Sequence, residues 1–259
     1  MPLIGWKMAR GISVFPPIAE IPIDLSPISR ADFGGPARES PVAATVNGKI
    51  YVGTGWSDVA TKDWWEYDPA ADSWMQKADF GGSARSVAVA AAVNGKVYVG
   101  TGADGGNKKD WWEYDPAADS WTQKADFGGT ARFAAVAAAV NGKVYVGTGL
   151  NNVVKKDWWE YDPAADSWTQ KADFGGTARD AAVAAAVNGK VYVGTGWDGA
   201  NRKDWWEYDP AADSWMQKAD FGGSARYAAV AAAVNGKVYV GTGYSEISEK
   251  DWWLQTFEI

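Results

Sequence analysis

The sequence repeats itself every 47 residues, and that period leaves few architectures open to the chain. Copies begin at Ala31, Ala78, Ala125, Ala172 and Ala219. The third copy, ADFGGTARFAAVAAAVNGKVYVGTGLNNVVKKDWWEYDPAADSWTQK (125–171), differs from the fourth at eight positions. Such a period marks a solenoid, a propeller or an array of units that cannot bury their faces alone.

Inside one copy, FAAVAAAV (133–140) is alanine-rich, which by propensity suits a helix. Its flanks decide otherwise. Asn141-Gly142 follows at once, then Val144-Tyr145-Val146. An Asn-Gly pair between two apolar runs is a hairpin signal, because both turn residues need positive φ. The unit therefore reads as a first strand over 132–140 and a second over 143–148. DWWEY (157–161) has the aromatic content of a third strand. The turn Asp162-Pro163-Ala164-Ala165-Asp166 leads to a fourth, SWTQK (167–171).

The first strand is apolar on both faces, and Trp158-Trp159 must point to opposite sides of their strand. Each sheet needs cover on both sides, which radial packing of like sheets supplies. The predicted fold is all-β, a five-bladed β-propeller of four-stranded antiparallel blades. Alanine suits the crowded axis and Trp the wider gaps outside. A bulky residue near the axis, as in Ala137→Phe, is expected to cost about 1–3 kcal/mol.

The last copy stops after its third strand, at Lys250-Asp251-Trp252-Trp253-Leu254. Residues 22–30 (PIDLSPISR in the sequence, with Pro27 where Trp is expected) stand where a fourth strand would precede the first copy. The last blade is thus expected to be closed by an N-terminal strand, leaving no open edge. The propeller spans 22–259, and residues 1–21 form an N-terminal arm outside the repeats.

The run NGKVYVGTG, then WWEYDPAADSW, then ADFGG and an Arg resembles the kelch repeat, with Tyr161 and Trp168 matching its Tyr and Trp. Gly147-Thr148-Gly149 stands where that family usually has a Gly-Gly doublet. The resemblance covers roughly 22–259 and implies the propeller fold without fixing an activity. Kelch propellers include interaction modules, sugar-processing enzymes such as sialic acid mutarotases, and a copper oxidase. The oxidase needs His ligands and a Cys–Tyr crosslink, and this chain has no His and no Cys.

Propeller topology puts the loops entering the first strand and the loops joining the second to the third on one face. Seven of the eight differences between copies three and four gather there. Phe133 becomes Asp180, and LNNVVK (150–155) becomes WDGANR (197–202); only Thr169 against Met216 falls elsewhere. Across the five copies the first site reads Glu39, Ser86, Phe133, Asp180 and Tyr227. The loops bring Trp56 and Asp58, Asp104, Leu150, Trp197 and Asp198, and Tyr244. Drift alone would favour small polar residues, whereas aromatic groups anchor binding surfaces. The opposite face keeps Asn-Gly and Asp-Pro-Ala-Ala-Asp nearly fixed.

An Arg recurs beside these sites at Arg38, Arg85, Arg132, Arg179 and Arg226. Two readings stand. The five form a ring at the channel mouth that attracts a carboxylate or phosphate. Alternatively each is structural, paired with a fixed Asp such as Asp126 or stacked on a Trp.

Composition closes other routes. Without His and Cys, the commonest base, metal ligand and thiol nucleophile are gone, and no cofactor or metal is expected. Asp104-Gly105-Gly106-Asn107 lacks the later acid of a calcium loop and reads as a turn. The FGG segments lack the following Lys-Ser/Thr of a phosphate loop. A net charge of −7 opposes nucleic-acid binding, and no apolar run approaches a membrane span. The acids at Asp110, Glu113, Asp115 and Asp119 read as a solvated rim. The start, MPLIGWKMARGISVFPP, lacks the apolar core of a signal peptide.

The expected function is a non-enzymatic binding module, monomeric, with a protein, peptide or glycan on the variable face. One alternative is a sugar-processing enzyme of the mutarotase type, using the Arg ring and the carboxylates Glu39 and Asp180. Another is a symmetrised scaffold without a natural ligand.

Overall fold

A computed structural model of the chain describes residues 29–255. Every regular element in it is a strand. The five copies form five antiparallel sheets in sequence order, four of them four-stranded and the last three-stranded, arranged as a β-propeller. In the third blade the strands are Val136–Val140, Lys143–Gly147, Trp158–Asp162 and Ser167–Lys171. Their register pairs Ala138 with Tyr145, Tyr145 with Glu160, and Tyr161 with Trp168. Asn141 and Gly142 take φ values of 53° and 77°, as the hairpin signal requires. The first strand starts four residues later than expected, because Ala134 sits at φ 51° and interrupts extended pairing.

Inner strands Val42–Val46, Val89–Val93, Val136–Val140, Val183–Val187 and Val230–Val234 stand around a channel lined by alanines, among them Ala90, Ala137 and Ala184. Between successive blades, apolar side chains close four seams. Trp158 is fully buried against Tyr208 and Trp215 of the next blade, with ring centroids 5.9 and 5.1 Å away. This Trp requires Gly147, since a Cβ there would collide with Trp158 Cε3.

Each seam also carries four backbone bonds. At the third, Gly149 donates to Arg179, Arg179 to Lys155, Phe174 to Lys156 and Ala181 to Ala134, at 2.8, 3.0, 2.7 and 3.0 Å. The same four recur between blades one and two, two and three, and four and five.

Between blade five and blade one they do not recur among the described residues. No Cα of Val42–Val46 lies within 8 Å of one in Val230–Val234. The expected closing strand at 22–30 falls, but for Ser29 and Arg30, outside the described residues, and so does the arm at 1–21. Ser29 and Arg30 belong to no strand.

Candidate functional site

The repeated Arg is not a free group at the mouth. Arg85, Arg132, Arg179 and Arg226 are fully buried. Arg132 donates from Nη1 to Thr148 O at 2.9 Å and to Asp157 Oδ1 at 2.6 Å. Its Nη2 reaches Asp157 Oδ2 at 2.7 Å, and its Nε reaches Thr130 O at 3.0 Å. The guanidinium lies 4.9 Å from the Phe127 centroid. Arg38, Arg85, Arg179 and Arg226 repeat this with Asp63, Asp110, Asp204 and Asp251. The structural role holds, with different partners from those expected. The acid is the one 25 residues on, and the ring is Phe rather than Trp. Asp126 instead lies 3.4 Å from Lys109.

The outer acids are also internal partners, while Asp115 and Asp119 stay partly exposed at the rim. Asp110 receives Arg85 and the Trp112 indole N–H. Glu113 accepts from Tyr98, Asp115 pairs with Lys96, and Asp119 accepts from Tyr114 and from the Ala78 amide. These bonds give a reason for DWWEYDPAAD to be identical in the first four copies; the fifth reads DWWLQTFEI. Burial pushes the Asp110 and Asp157 carboxyls up, but the hydrogen bonds and charge of their Arg and the Trp N–H outweigh it, and the net shift is down.

The variable residues do come together, and in a way the sequence did not reveal: they are cross-strand partners. Glu39 pairs with Trp56, Ser86 with Ala103, Phe133 with Leu150, Asp180 with Trp197, and Tyr227 with Tyr244. Asp180 and Trp197 exchange two backbone bonds of 2.9 Å each. The scaffold thus fixes a two-residue display in each blade. The constant Thr-Gly after the second strand makes the turn, with Thr148 at φ 57° and Gly149 at φ 93°. A Cβ on Gly149 would meet Phe133 O at 2.8 Å.

Blades three to five build a cavity of about 1110 Å³ from these pairs. Phe133, Asp180, Trp197, Tyr227 and Tyr244 line it. The Trp197 and Tyr227 rings stand 5.9 Å apart at 65°, and Tyr227 and Tyr244 stand 5.6 Å apart at 55°. Asn201, Ser224, Ser245 and Glu246 complete the polar part of the wall. Asn201, Ser245 and Glu246 belong to the diversified loops; Ser224 gave no signal, because that position is Ser or Thr in four of the five copies.

Other predicted residues lie elsewhere. Glu39, Trp56 and Asp58 belong to blade one and Ser86 and Asp104 to blade two, away from this cavity. Asp58 holds the turn of its loop at φ 60°. Asp104 and Asp198 brace their loops internally, against Lys108 at 2.8 Å and Arg202 at 2.7 Å. Leu150 supports Phe133 through the backbone without reaching the cavity.

Asp180 differs from every repeated Asp. Burial pushes its carboxyl up, and only its own backbone N–H opposes the shift. The neighbouring cations are committed elsewhere, Arg179 to Asp204 and Arg202 to Asp198.

No family profile matches the chain, and no curated protein matches it in sequence. Among solved structures the chain is similar to YjhT, with a TM-score of 0.68 and 16% identity over 87% of this chain and 96% of that one. At that identity the likeness establishes the β-propeller fold alone.

Proposed function

We propose that the chain is a non-enzymatic, kelch-type binding module whose ligand sits on the variable-loop face, in the cavity between blades three and five. One observation carries this reading. The positions that differ between otherwise near-identical copies are backbone-paired, and on one side of the ring they converge on a single aromatic cavity. Trp197 and Tyr244 stay 41% and 42% exposed there, in a fold that buries Trp64, Trp111, Trp158 and Trp205 completely. Aromatic side chains left in solvent at a concave site are the usual anchors of recognition. The enzymatic reading has less support, because the guanidinium groups it relies on are consumed by internal pairs.

A protein, peptide or glycan is the ligand class. The test is a glycan and peptide array probed with the intact chain and with Trp197→Ala/Tyr244→Ala. Spots bound by the first and lost with the second are expected. An array blank for both, or spots indifferent to the double substitution, would remove the proposal.

A further inference from the structure

The chemistry of the same cavity specifies its ligand further, provided the binding role just proposed holds. Three aromatic faces, Trp197, Tyr227 and Tyr244, run in sequence along the wall. Phe133 adds a fourth ring to the lining. The charged groups of the lining are Asp180 and Glu246, and no basic side chain is among them. Asp180 is held beside Trp197 by its paired backbone bonds. Among the described residues every other half-buried carboxylate of the blades has an Arg, Lys or hydroxyl partner, as Asp204 has Arg179 and Glu207 has Tyr192. Asp180 has no such partner on the protein side.

A half-buried carboxylate without a counter-charge on the protein is left for a ligand to pair, and a cation supplied by that ligand would do so. Electron-rich ring faces attract the same kind of group, and they favour a weakly hydrated cation with a hydrocarbon skin over a bare metal ion. Glu246 takes φ 111° at the position where the second and fourth copies carry Gly105 and Gly199. The turn, left-handed at this position in all five copies, carries a second acid at the cavity edge here.

We propose that this cavity binds an organic ammonium group, with Asp180 as its counter-ion and Trp197, Tyr227 and Tyr244 as the surrounding π-faces. A volume of about 1110 Å³ exceeds one such headgroup and leaves room for the rest of the molecule that carries it.

The test is calorimetric titration of the full chain with choline, with a trimethyllysine peptide and with 3,3-dimethylbutan-1-ol, the neutral carbon isostere of choline. At least one cation is expected to bind about tenfold or more tightly than the isostere. Tighter binding of the peptide assigns a protein partner, and tighter binding of choline assigns a small molecule. Asp180→Asn is expected to weaken the cation roughly tenfold and leave the isostere unchanged, whereas Trp197→Ala weakens both.

The comparison of cation with isostere uses the unmodified protein, so it does not depend on the folding of any variant. An isostere that binds as well as both cations, or no cation binding at millimolar concentration, overturns the inference. The array separates the two levels. A neutral ligand lost with Trp197→Ala/Tyr244→Ala keeps the binding face and rejects the cation, while a blank array together with no cation binding rejects both.

Discussion

Trp158 and Trp252 hold the same place in their copies and meet opposite fates: the first is fully buried, the second 55% exposed. Both follow Lys-Asp and precede Trp, and the two sequences then part at Glu160-Tyr161 against Leu254-Gln255. The neighbour separates them. Trp158 enters a seam where Tyr208 and Trp215 receive it. The equivalent acceptors for Trp252 are Tyr67 and Trp74 of the first blade, and that seam is not made among the described residues. The first blade shows the other half of the difference. Val97, Val99 and Phe80 are buried in their seam, whereas Ile50, Val52 and Phe33 are only partly covered. Burial here belongs to the pair of blades and not to the residue, as expected for repeats stabilised by nearest-neighbour contacts.

The sharpest way to break this comparison is to truncate both rings. Trp158→Ala is expected to cost about 3–5 kcal/mol, the usual loss for a large core side chain. Trp252→Ala is expected to cost less than about 1 kcal/mol, because little is removed from contact. Denaturant unfolding of the two variants decides it. Equal losses would mean that the exposed face of the fifth blade is covered in solution.

A smaller effect runs the other way, by adding volume. Ala138 is 7% exposed inside the third seam, and Ala232, its counterpart in the fifth blade, is exposed. Ala138→Phe should destabilise by about 1–3 kcal/mol through overpacking. Ala232→Phe should change stability by less than about 0.5 kcal/mol. Thermal melts that shift equally would show that the inner strand, and not the seam, sets the tolerance.

Much of this was legible in the sequence. The period, the Asn-Gly hairpins and the paired Trp residues led to the strands and the blade, because each signal acts within one copy. The diversified face was legible too, from comparing copies inside the chain. What failed was assignment of partners across copies or across the sheet. Arg132 finds Asp157 rather than Asp126 because the choice depends on how the turn at Thr130 folds back, which no spacing rule gives. The pairing of Asp180 with Trp197 needed the left-handed turn at Thr195-Gly196, where φ is 58° and 100°. Which variable pairs share a cavity depends on blade order around the ring, a long-range property.

The fourth blade holds the finest contrast, between two carboxylates at opposite ends of one design. Asp204 is raised by burial, but hydrogen bonds from Arg179 and Trp206 and the charge of Arg179 outweigh that and bring it below the ordinary value. Its contribution to stability is therefore complete above the unfolded value, about 3.9, and is lost as pH falls through the lower folded value. Asp180 is shifted upward by burial without a partner, so the sign reverses. Its protonated form is the one the fold favours, and ionisation above about pH 3.9 costs stability. Asp180→Asn keeps the shape and deletes the charge. At pH 7 it is expected to raise the melting temperature slightly, by an amount worth no more than about 0.5 kcal/mol at so open a site. At pH 3, where Asp180 is protonated in both folded and unfolded chains, the gain should vanish. Asp204→Asn should lose stability at pH 7, by about 1–3 kcal/mol, because Arg179 is left without its charged partner. A neutral variant that melts lower at pH 7 for Asp180 as well would mean that the loop needs this carboxylate for its own fold, and that the unpaired acid is scaffold like the rest.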